Sequence, residues 1–497
     1  MNPRWESNKR LIEQLERSMD RKREQVVSLD RSDAIQKAKV DDLLDEINDL
    51  YKEIENLKRP FKELVKEALE DLRRLYLDES DKRDWSVAWS GGKDSTCVMG
   101  LVVAMLEGLA PEERWRKVHA VMSDTMMENP NLESYMHEQV DLLKSYAERK
   151  DLPVTAQIVT RPVDQSYFYL VLGRGYFLPQ NNGAGRWCTA RLKIRPQKAA
   201  MKAIDPSFIL MGVRLSESAK RKASIKTWSR EDKLSEKIGE HAEIKSSKTF
   251  MPIVDFTIED VWMYLQRERL GWSSTHKVRT LYREATGECG FTNPKGTEAK
   301  ASTSESCGAR FGCWNCPVIL KDKSTEEMSK SNDWMKPLIE WRFLQLKVMG
   351  DYKPDRPEGQ SKKERGEVLR VWERIGQEIK LITKSGHKMN GTRMVDRKTG
   401  EPRDDQGTVT IEARQYLFEK LIETEQDVNA LRVSQGLEPI ELISEQEARL
   451  IVDRWDEDAE QRPWLKTNIR GTSVYRIEEL LALGRRETAR IQTSSDS

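Results

Sequence analysis

The sequence of 497 residues contains no run of about 18 uncharged apolar residues, which a membrane-spanning helix would need. Residues 1–6 lead straight into charged residues, without the apolar core of a secretory signal. We therefore expect a cytoplasmic protein that does not interact with a membrane. Cysteine is also scarce, with 6 residues, and in a reducing compartment clustered cysteines indicate a metal site or catalysis more often than disulfides.

The chain has little excess charge of either sign, since its net charge is +1. The distribution is uneven, because residues 181–250 hold 16 Lys and Arg residues against 7 Asp and Glu residues. A basic stretch of this kind favours phosphate-rich ligands. A solvated surface with two lysine-rich loops would have the same composition, so charge alone does not decide between the two interpretations.

The length predicts roughly two to four domains, and the first region of the chain has the pattern of helices. Residues 1–80 are predicted to form a helical N-terminal extension, in which apolar residues recur every three or four positions from Leu43 to Leu64. Pro60 is expected to end or kink one of these helices. Because this seam is only about three heptads long, we expect it to pack within the chain and not to pair two chains.

The second region, residues 81–285, alternates short apolar runs with helical patterns. The runs predicted as strands are 86–89, 118–123, 153–159 and 208–213. Two stretches between them, Val98–Leu109 and Leu132–Arg149, are long enough to be crossover helices. This order predicts an α/β fold, a parallel sheet with helices on both faces.

Two further regions complete the chain. Residues 286–330 hold four of the six cysteines among Gly, Asn, Ser and Thr residues, so a loop-rich cysteine segment is expected. Residues 331–497 are predicted to be a helical C-terminal region, with helices at Ile411–Ile422 and Glu445–Trp455.

A glycine-rich segment, Ser90-Gly91-Gly92-Lys93-Asp94-Ser95, joins the first predicted strand to the helix that follows it. Glycine allows a close approach of the backbone, and the N–H groups at a helix N-terminus attract anions. This segment, called the glycine loop below, is therefore predicted to bind phosphate. It is not a Walker A loop, because the pattern G-x-x-x-x-G-K-[ST] is absent.

Three other polar segments follow apolar runs. Asp124 ends the second predicted strand, and ligands of parallel sheets lie outside the carboxyl ends of strands. Asp124 is thus a candidate for the nucleotide site, the alternative being a helix cap. Arg214 follows the fourth predicted strand and is placed to clamp a phosphate. Thr257-Ile258-Glu259-Asp260 has the pattern of a capping box, so Asp260 is expected to be structural.

Three cysteines, Cys307, Cys313 and Cys316, are grouped in the segment SCGARFGCWNC. The C-x2-C pair puts two thiolates within reach of one metal centre. Cys289 and Cys188 lie elsewhere, so five candidates are present for four ligand positions. Four thiolates hold either Zn²⁺ or a 4Fe–4S cluster, and the spacing does not choose between them. The sixth cysteine, Cys97, is expected to be a buried apolar residue.

The glycine loop has the complete pattern SGG-x-DS and resembles the PP-loop of ATP pyrophosphatases. The resemblance implies a PP-loop (adenine nucleotide alpha-hydrolase-like) fold that cleaves ATP between its α and β phosphates and adenylylates a substrate oxygen. Lys93 would neutralise charge on the pyrophosphate, and Asp94 would organise the loop or a Mg²⁺ ion. The residues expected to bind ATP are Ser90, Gly91, Gly92, Lys93, Asp94 and Ser95, and those expected to act in catalysis are Lys93, Asp94, Asp124 and Arg214.

The segment RWCTARLKIRP is similar to the CC-x-x-RK-x-x-P segment of adenylyl-sulfate reductases, in which cysteine binds a 4Fe–4S cluster. Two differences stand out. Trp187 occupies the position of that family's first cysteine, and Leu192 separates Arg191 from Lys193.

The chain resembles the DndC family of bacterial DNA phosphorothioation proteins more closely. The segments that carry this resemblance run from about residue 86 to 455 and are SGGKDST, SDTMMENP, GRGY, RWCTARLKIRP, ESCGARFGCWNCPVILKDKS and ARQYLFEKL…ELISEQEARLI. The resemblance implies a 4Fe–4S cluster. Its implied ligands are Cys188, Cys307, Cys313 and Cys316, with Cys289 as the alternative to one of them.

The DndC resemblance also implies a function, the ATP-dependent replacement of a non-bridging oxygen of a DNA backbone phosphate by sulfur. ATP would adenylylate the oxygen with release of pyrophosphate, and sulfur would displace AMP. The implied partners are DNA, a cysteine desulfurase as sulfur donor, and the other DNA phosphorothioation proteins. The basic residues expected to contact phosphate are Arg191, Lys193, Arg195, Arg214 and Arg221.

Other functions remain open at this point. One is a reductase of adenylyl- or phosphoadenylyl-sulfate, although no cysteine follows Cys316 to serve as a C-terminal nucleophile. A second is a tRNA thiolation enzyme with a related PP-loop. A third, of another class, is a non-catalytic DNA-binding partner that uses ATP only as a switch, which release of pyrophosphate would exclude.

Overall fold

The computed structural model describes residues 3–29, 34–176, 178–179, 186–215, 234, 237–241, 244–268, 270–286, 312–319, 322–348 and 411–461. The chain divides into two compact units. Unit 1 comprises Met1–Met122, Glu138–Gln157 and Ala200–Val278. Unit 2 comprises Ser123–His137, Ile158–Ala199 and Arg279–Ser497.

Helices account for most of the described chain. In chain order they are α1 (Pro3–Ser28), α2 (Ala34–Lys58), α3 (Phe61–Tyr76), α4 (Lys93–Glu107), α5 (Pro130–Arg149), α6 (Arg195–Ile204), α7 (Ile258–Arg267), α8 (Thr275–Thr286), α9 (Lys323–Met328), α10 (Lys336–Val348), α11 (Ile411–Ser434) and α12 (Glu445–Gln461). Within the described ranges, none of them combines the length and the apolar character that crossing a membrane requires.

The strands form one sheet. They are β1 (Trp85–Ala88), β2 (Val118–Ser123), β3 (Val154–Val159), β4 (Phe208–Leu210), β5 (Ile238–Glu240) and β6 (Lys248–Phe250), in the order β3-β2-β1-β4-β6-β5. β1 is parallel to β2 and β4, β4 is parallel to β6, and β5 is antiparallel to β6. The predicted α/β fold with crossover helices is confirmed, and the sheet is parallel as predicted except at β5, which is antiparallel. The sequence analysis did not predict β5 and β6, because each contains a single large apolar residue and shows no hydrophobic pattern.

Helix α4, which follows the glycine loop, is part of the core of unit 1. Every residue from Thr96 to Val103 is buried, as in a helix that is surrounded by other elements. This stretch includes Cys97, which is fully buried as predicted. Helices α3 and α7 pack against α4. The packing fixes the first turn of α4, and with it the position of the glycine loop.

Helices α1 and α2 pack against each other along the predicted apolar seam. Ile54 and Leu57 of α2 form a buried cluster with Ile12 and Met19 of α1. Helix α2 ends before Pro60 and α3 begins after it, so the proline separates two helices. The prediction that the seam packs within the chain is confirmed.

The start of α7 has the capping box that the sequence predicts. The Thr257 hydroxyl accepts a hydrogen bond from the Asp260 N–H at 3.2 Å, and the Asp260 carboxylate accepts one from the Thr257 N–H at 2.8 Å. Asp260 also forms a buried ion pair with Arg4, with 2.8 Å between Nε and Oδ1. Its role is therefore structural, as expected, and it ties the beginning of α1 to α7.

In unit 2, helix α12 packs against the short helical segment Tyr169–Gly173. The Trp455 indole N–H donates to the Leu172 carbonyl at 2.7 Å. Near the start of α12, the carboxylate of Glu447 is buried and accepts hydrogen bonds from the Ser166 hydroxyl and from the Tyr169 N–H.

Burial of Glu447 predicts a pH-dependent stability. Burial raises the pKa of Glu447 to about 7, from an ordinary value of 4.5. The folded protein therefore holds this proton more tightly than the unfolded chain, so the associated stability is complete below about pH 4.5 and is lost as the pH rises through about 7. Relative to Glu447→Gln, which does not titrate, the wild type should lose up to about 3 kcal/mol of unfolding free energy over this range.

Urea unfolding of the wild type and Glu447→Gln, at about pH 5 and about pH 8, measures this difference. The matched control is Glu445→Gln in the same helix turn, since the side chain of Glu445 is 40% exposed. The control should follow the wild type at both pH values. The same pH dependence in the wild type and Glu447→Gln would contradict the prediction.

Candidate functional site

The glycine loop of unit 1 has the geometry of an anion site. Gly91 has a φ of 69°, in the left-handed region that favours glycine. Gly92 is the N-cap residue of α4, so the first N–H groups of this helix have no carbonyl partner within it. Together with the helix dipole, these N–H groups favour a phosphate at the start of α4.

The loop is held together by its own serines. The Ser90 N–H donates to the Ser95 hydroxyl at 3.1 Å, and the same hydroxyl lies 3.1 Å from the Gly92 carbonyl, to which it donates. The two serine hydroxyls are 3.0 Å apart. The first and last residues of the predicted motif are therefore in contact, which closes the loop.

Gly212, which lies two residues after β4, packs directly against the glycine loop. A Cβ atom at this position would lie 2.8 Å from the carbonyl carbon of Asp94 and 2.8 Å from the backbone nitrogen of Ser95. Both atoms belong to backbone, which cannot move aside as the end of a side chain can. Glycine is therefore required at position 212 for the loop to keep its conformation.

We expect Gly212→Ala to weaken ATP binding at least about tenfold, because the added methyl group pushes the loop away from its anion-binding conformation. The matched control is Gly108→Ala, at the end of α4, where a Cβ atom would have ordinary contacts at 3.5 Å. Titration of each variant with ATP, by calorimetry, measures the two dissociation constants. Unchanged affinity in Gly212→Ala would show that the loop does not bind the nucleotide in this conformation.

The charged residues of the loop form one ion-paired group with Arg214. The Asp94 carboxylate lies 3.1 Å from the Lys93 ammonium and 2.6 Å from Nε of Arg214. The side chains of both cations are almost completely buried. Two positive charges are thus held beside the phosphate-binding N–H groups, with Asp94 fixing their positions. Among the predicted site residues, those of the glycine loop and Arg214 lie together in unit 1, whereas Arg221 lies outside the described residues.

Asp124, which was predicted from the end of β2, belongs to unit 2. Its buried carboxylate accepts a hydrogen bond from the Met126 N–H at 2.7 Å. Burial raises the pKa of Asp124, and the nearby His137 lowers it in part. Burial also raises the pKa of Glu133 to about 7, with further contributions from the negative charges of Asp124 and Glu128. Sequence analysis did not single out these neighbours of Asp124.

The second predicted site, the cysteine group, consists of Cys188, Cys313 and Cys316 in unit 2. The three thiols lie close enough to interact electrostatically with one another and with the hydroxyl of Tyr167. The Tyr167 ring stacks on Trp187, with centroids 5.9 Å apart and 18° between the planes. Trp187, which replaces a cysteine of the reductase motif, therefore packs beside the group. The predicted ligands Cys307 and Cys289 lie outside the described residues.

The donor set fits a thiolate-bound metal centre. Burial raises the pKa of the Cys313 thiol far above its usual range, and the charges of Glu128 and Cys316 raise it further. Burial also raises the pKa of Cys188. A nearby cation favours the thiolate form of half-buried thiols that lie this close together. A metal centre held by the cysteine group would provide that compensation.

Two polar residues that the sequence analysis missed adjoin the cysteine group. The Thr125 hydroxyl donates to the Glu128 carboxylate at 3.0 Å and lies 3.8 Å from Sγ of Cys313. Burial raises the pKa of Glu128, and the positive charge of Lys193 lowers it in part. Both residues belong to the segment SDTMMENP, which was recognised only as part of a family resemblance.

A basic cluster is also present in unit 2. Arg191 and Arg195, both predicted to contact phosphate, interact electrostatically with Arg161, which was not predicted. Burial lowers the pKa of Arg161, and the positive charges of Arg195 and Arg191 lower it further. The Nε atom of Arg161 is buried without a hydrogen-bond partner among the described residues. Three arginines that repel one another are typical of a site for a polyanion.

Comparison with protein families gives one match. The family model of the phosphoadenosine phosphosulfate reductase domain matches residues 84–319. A domain of the PP-loop superfamily is therefore present, and the match spans the glycine loop, Arg214 and the cysteine group. A search of curated proteins finds no match to this chain.

Solved structures that align with parts of this chain include those of three enzymes. The phosphoadenylyl-sulfate reductase of Candida auris is 14% identical, with 42% of this chain and 85% of that chain covered and a TM-score of 0.26. The U34-tRNA thiolase NcsA of Methanococcus maripaludis, solved with its 4Fe–4S cluster, is 12% identical, with 62% and 87% covered and a TM-score of 0.28. The FMN adenylyltransferase of Candida glabrata, solved with FAD and pyrophosphate, is 13% identical, with 55% and 75% covered and a TM-score of 0.29. At these TM-scores the three structures do not bear on the function.

Proposed function

We propose that this chain is a cytoplasmic sulfurtransferase with ATP pyrophosphatase activity, which incorporates sulfur into the DNA backbone. The observation that carries the proposal is the presence of two sites in one chain, the glycine loop of unit 1 and the cysteine group of unit 2. The first has the geometry to bind the phosphates of ATP. The second gathers three half-buried thiols, which are the ligand type of an iron–sulfur centre.

In the first step, a non-bridging oxygen of a DNA phosphate attacks the α-phosphorus of ATP. The bond from this phosphorus to the bridging oxygen of the β-phosphate breaks, and pyrophosphate leaves. The N–H groups at the start of α4 and the Lys93 ammonium stabilise the charge of the leaving group. Arg214 adds a second cation, and the Asp94 carboxylate, 3.1 Å from Lys93 and 2.6 Å from Arg214, keeps both in position.

In the second step, a sulfur nucleophile at the oxidation level of sulfide attacks the DNA phosphorus. The bond between that phosphorus and the oxygen attached to AMP breaks, so AMP leaves with an oxygen that belonged to DNA. No net oxidation or reduction occurs in this exchange. A 4Fe–4S cluster, which Cys188, Cys313 and Cys316 would hold with Cys307 as the fourth ligand, would supply an iron that binds sulfur when one thiolate ligand is exchanged for it.

The charges of unit 2 and the DndC resemblance support the proposed substrate and partners. The cluster of Arg161, Arg191 and Arg195 suits a nucleic-acid backbone, because phosphate contacts of this kind need no particular base. We propose that a cysteine desulfurase donates the sulfur as a persulfide, and that a thiol reductant releases it at the oxidation level of sulfide and is itself oxidised to a disulfide. Other DNA phosphorothioation proteins would present the DNA.

A second candidate is a reductase of phosphoadenylyl-sulfate. The match of residues 84–319 to the reductase domain model favours it. Such an enzyme would release sulfite from its nucleotide substrate, and would not need DNA or ATP cleavage.

An experiment in cells separates the two candidates. The gene is deleted, the chain is restored beside its sulfur-transfer partners as wild type or Asp94→Asn, and digested DNA is analysed for phosphorothioate-linked dinucleotides by mass spectrometry. We expect the dinucleotides to disappear on deletion and to return only with the wild type. Persistence of the dinucleotides with loss of sulfite production would favour the reductase, and loss of a thiolated tRNA base would favour a tRNA thiolase.

A further inference from the structure

Three side chains that can bind a metal ion, two carboxylates and one imidazole, converge in the segment Ser123–His137 of unit 2. Asp124 lies just after β2, and Glu133 and His137 lie four residues apart on α5, one turn of helix. One carboxylate oxygen each of Asp124 and Glu133 and one ring nitrogen of His137 all lie within 4.8 Å of one another. The group therefore offers two oxygens and one nitrogen to a common point.

The hydrogen bonds of the described residues leave these groups free to bind a ligand. Asp124 is only 4% exposed and uses one carboxylate oxygen to accept from the Met126 N–H at 2.7 Å. In the part of the chain that the structure describes, three groups have no hydrogen-bond or ion-pair partner. They are the second oxygen of Asp124, the Glu133 carboxylate and the His137 ring. The unused oxygen of Asp124 can therefore coordinate a cation.

The charge of the group also favours a cation. The carboxylates of Asp124 and Glu133 repel each other, and Glu128 adds a third negative charge that acts on both. The described cations that face these carboxylates are His137 and Lys193, the first acting on Asp124 and the second on Glu128. Neither acts on Glu133, so a positive charge at the point of convergence would offset the repulsion there.

We propose that Asp124, Glu133 and His137 bind a divalent metal ion of the first transition series, with Mn²⁺ as the representative species. Mg²⁺ prefers oxygen ligands alone, whereas a set of two carboxylates and one imidazole suits Mn²⁺ and its neighbours in the series. Three ligands from the protein leave coordination positions open for water or for a phosphate oxygen. The ion would thus bind a phosphate group or activate water.

This site shares no residue with the cluster ligands or with the glycine loop. It contains no cysteine, and Mn²⁺ does not favour thiolates. The inference does not depend on the proposed function, because it is tested without ATP, DNA or a sulfur donor.

The test is titration of the full-length protein, with its metal centre as isolated and without nucleotide, by Mn²⁺ alone. Free Mn²⁺ is followed by its six-line electron paramagnetic resonance spectrum. We expect one tightly bound Mn²⁺ per chain, and an affinity at least about tenfold lower in Glu133→Gln and in His137→Asn. Glu133 and His137 are less buried than Asp124, so these substitutions should leave the melting temperature unchanged.

Two matched controls complete the experiment. Glu138 is the next residue of α5, and its carboxylate lies 2.5 Å from the Lys277 ammonium. The Glu138→Gln variant should bind Mn²⁺ as the wild type does. Cys316→Ser alters the cysteine group and should also retain the ion. Equal affinity in the wild type, Glu133→Gln and His137→Asn would overturn the proposal, and so would a wild type that binds no Mn²⁺.

Discussion

Asp94→Asn is expected to reduce the release of pyrophosphate from ATP at least about a hundredfold, which is the size of effect seen when one group that stabilises developing charge is removed. Asp94 touches both cations of the site, with Lys93 at 3.1 Å and Arg214 at 2.6 Å. A neutral amide offers one acceptor oxygen in place of two and cannot balance two positive charges. Lys93 and Arg214 would then move apart or turn towards solvent, and the leaving group would lose their support.

The assay is release of pyrophosphate from ATP with the purified protein and DNA, measured beside a thermal melt. Asp141→Asn is the control, because Asp141 is an exposed acid of α5 within unit 1. It should retain wild-type activity. Wild-type turnover in Asp94→Asn with a normal melt would show that the glycine loop is not the ATP site, whereas loss of activity with a lowered melting temperature would identify a folding defect.

Replacement of the cysteine group is the second prediction with a large effect. Each of three variants, purified anaerobically, should contain much less iron and acid-labile sulfide than the wild type, because the cluster needs its thiolate ligands. The variants are Cys188→Ser, Cys313→Ser and Cys316→Ser. The expected content in the wild type is one 4Fe–4S cluster per chain. Zinc in place of iron in the wild type would contradict the cluster assignment.

Cys97→Ala is the matched control for these variants. Cys97 is fully buried in α4 of unit 1, and burial raises the pKa of its thiol well above the usual range. Its removal should leave the iron content unchanged.

The same assay identifies the fourth ligand. Cys307→Ser is expected to lose iron and Cys289→Ser to keep it, and the opposite result would assign the position to Cys289.

The sequence predicted those parts of the molecule in which a local pattern determines the structure. The strands β1 to β4 are apolar runs between helices, and α4 begins inside the glycine loop, at Lys93. The capping box at Thr257 and Asp260 is a pattern of four residues, and it folds as expected. Pro60 separates two helices because a proline disfavours the helical conformation of the residue before it and lacks the N–H that a continuing helix would use.

The residues that the sequence did not reveal depend on contacts between distant segments. Gly212 is an ordinary glycine in the sequence, and only its approach to Asp94 explains its presence. Arg161 joins Arg191 and Arg195 from another segment. Glu133 and His137 did offer a signal, since an acid and a histidine four residues apart share one face of a helix. That signal becomes informative once Asp124 is placed beside them.

The fate of a DNA phosphate oxygen tests the central claim most directly. DNA with ¹⁸O at its non-bridging phosphate positions is incubated with ATP, sulfide and the anaerobically purified protein, and the AMP is analysed by mass spectrometry. If ATP activates the DNA phosphate, each phosphorothioate formed should be accompanied by one AMP that carries one ¹⁸O, together with one pyrophosphate. AMP without ¹⁸O, or sulfur incorporation without release of pyrophosphate, would contradict the account.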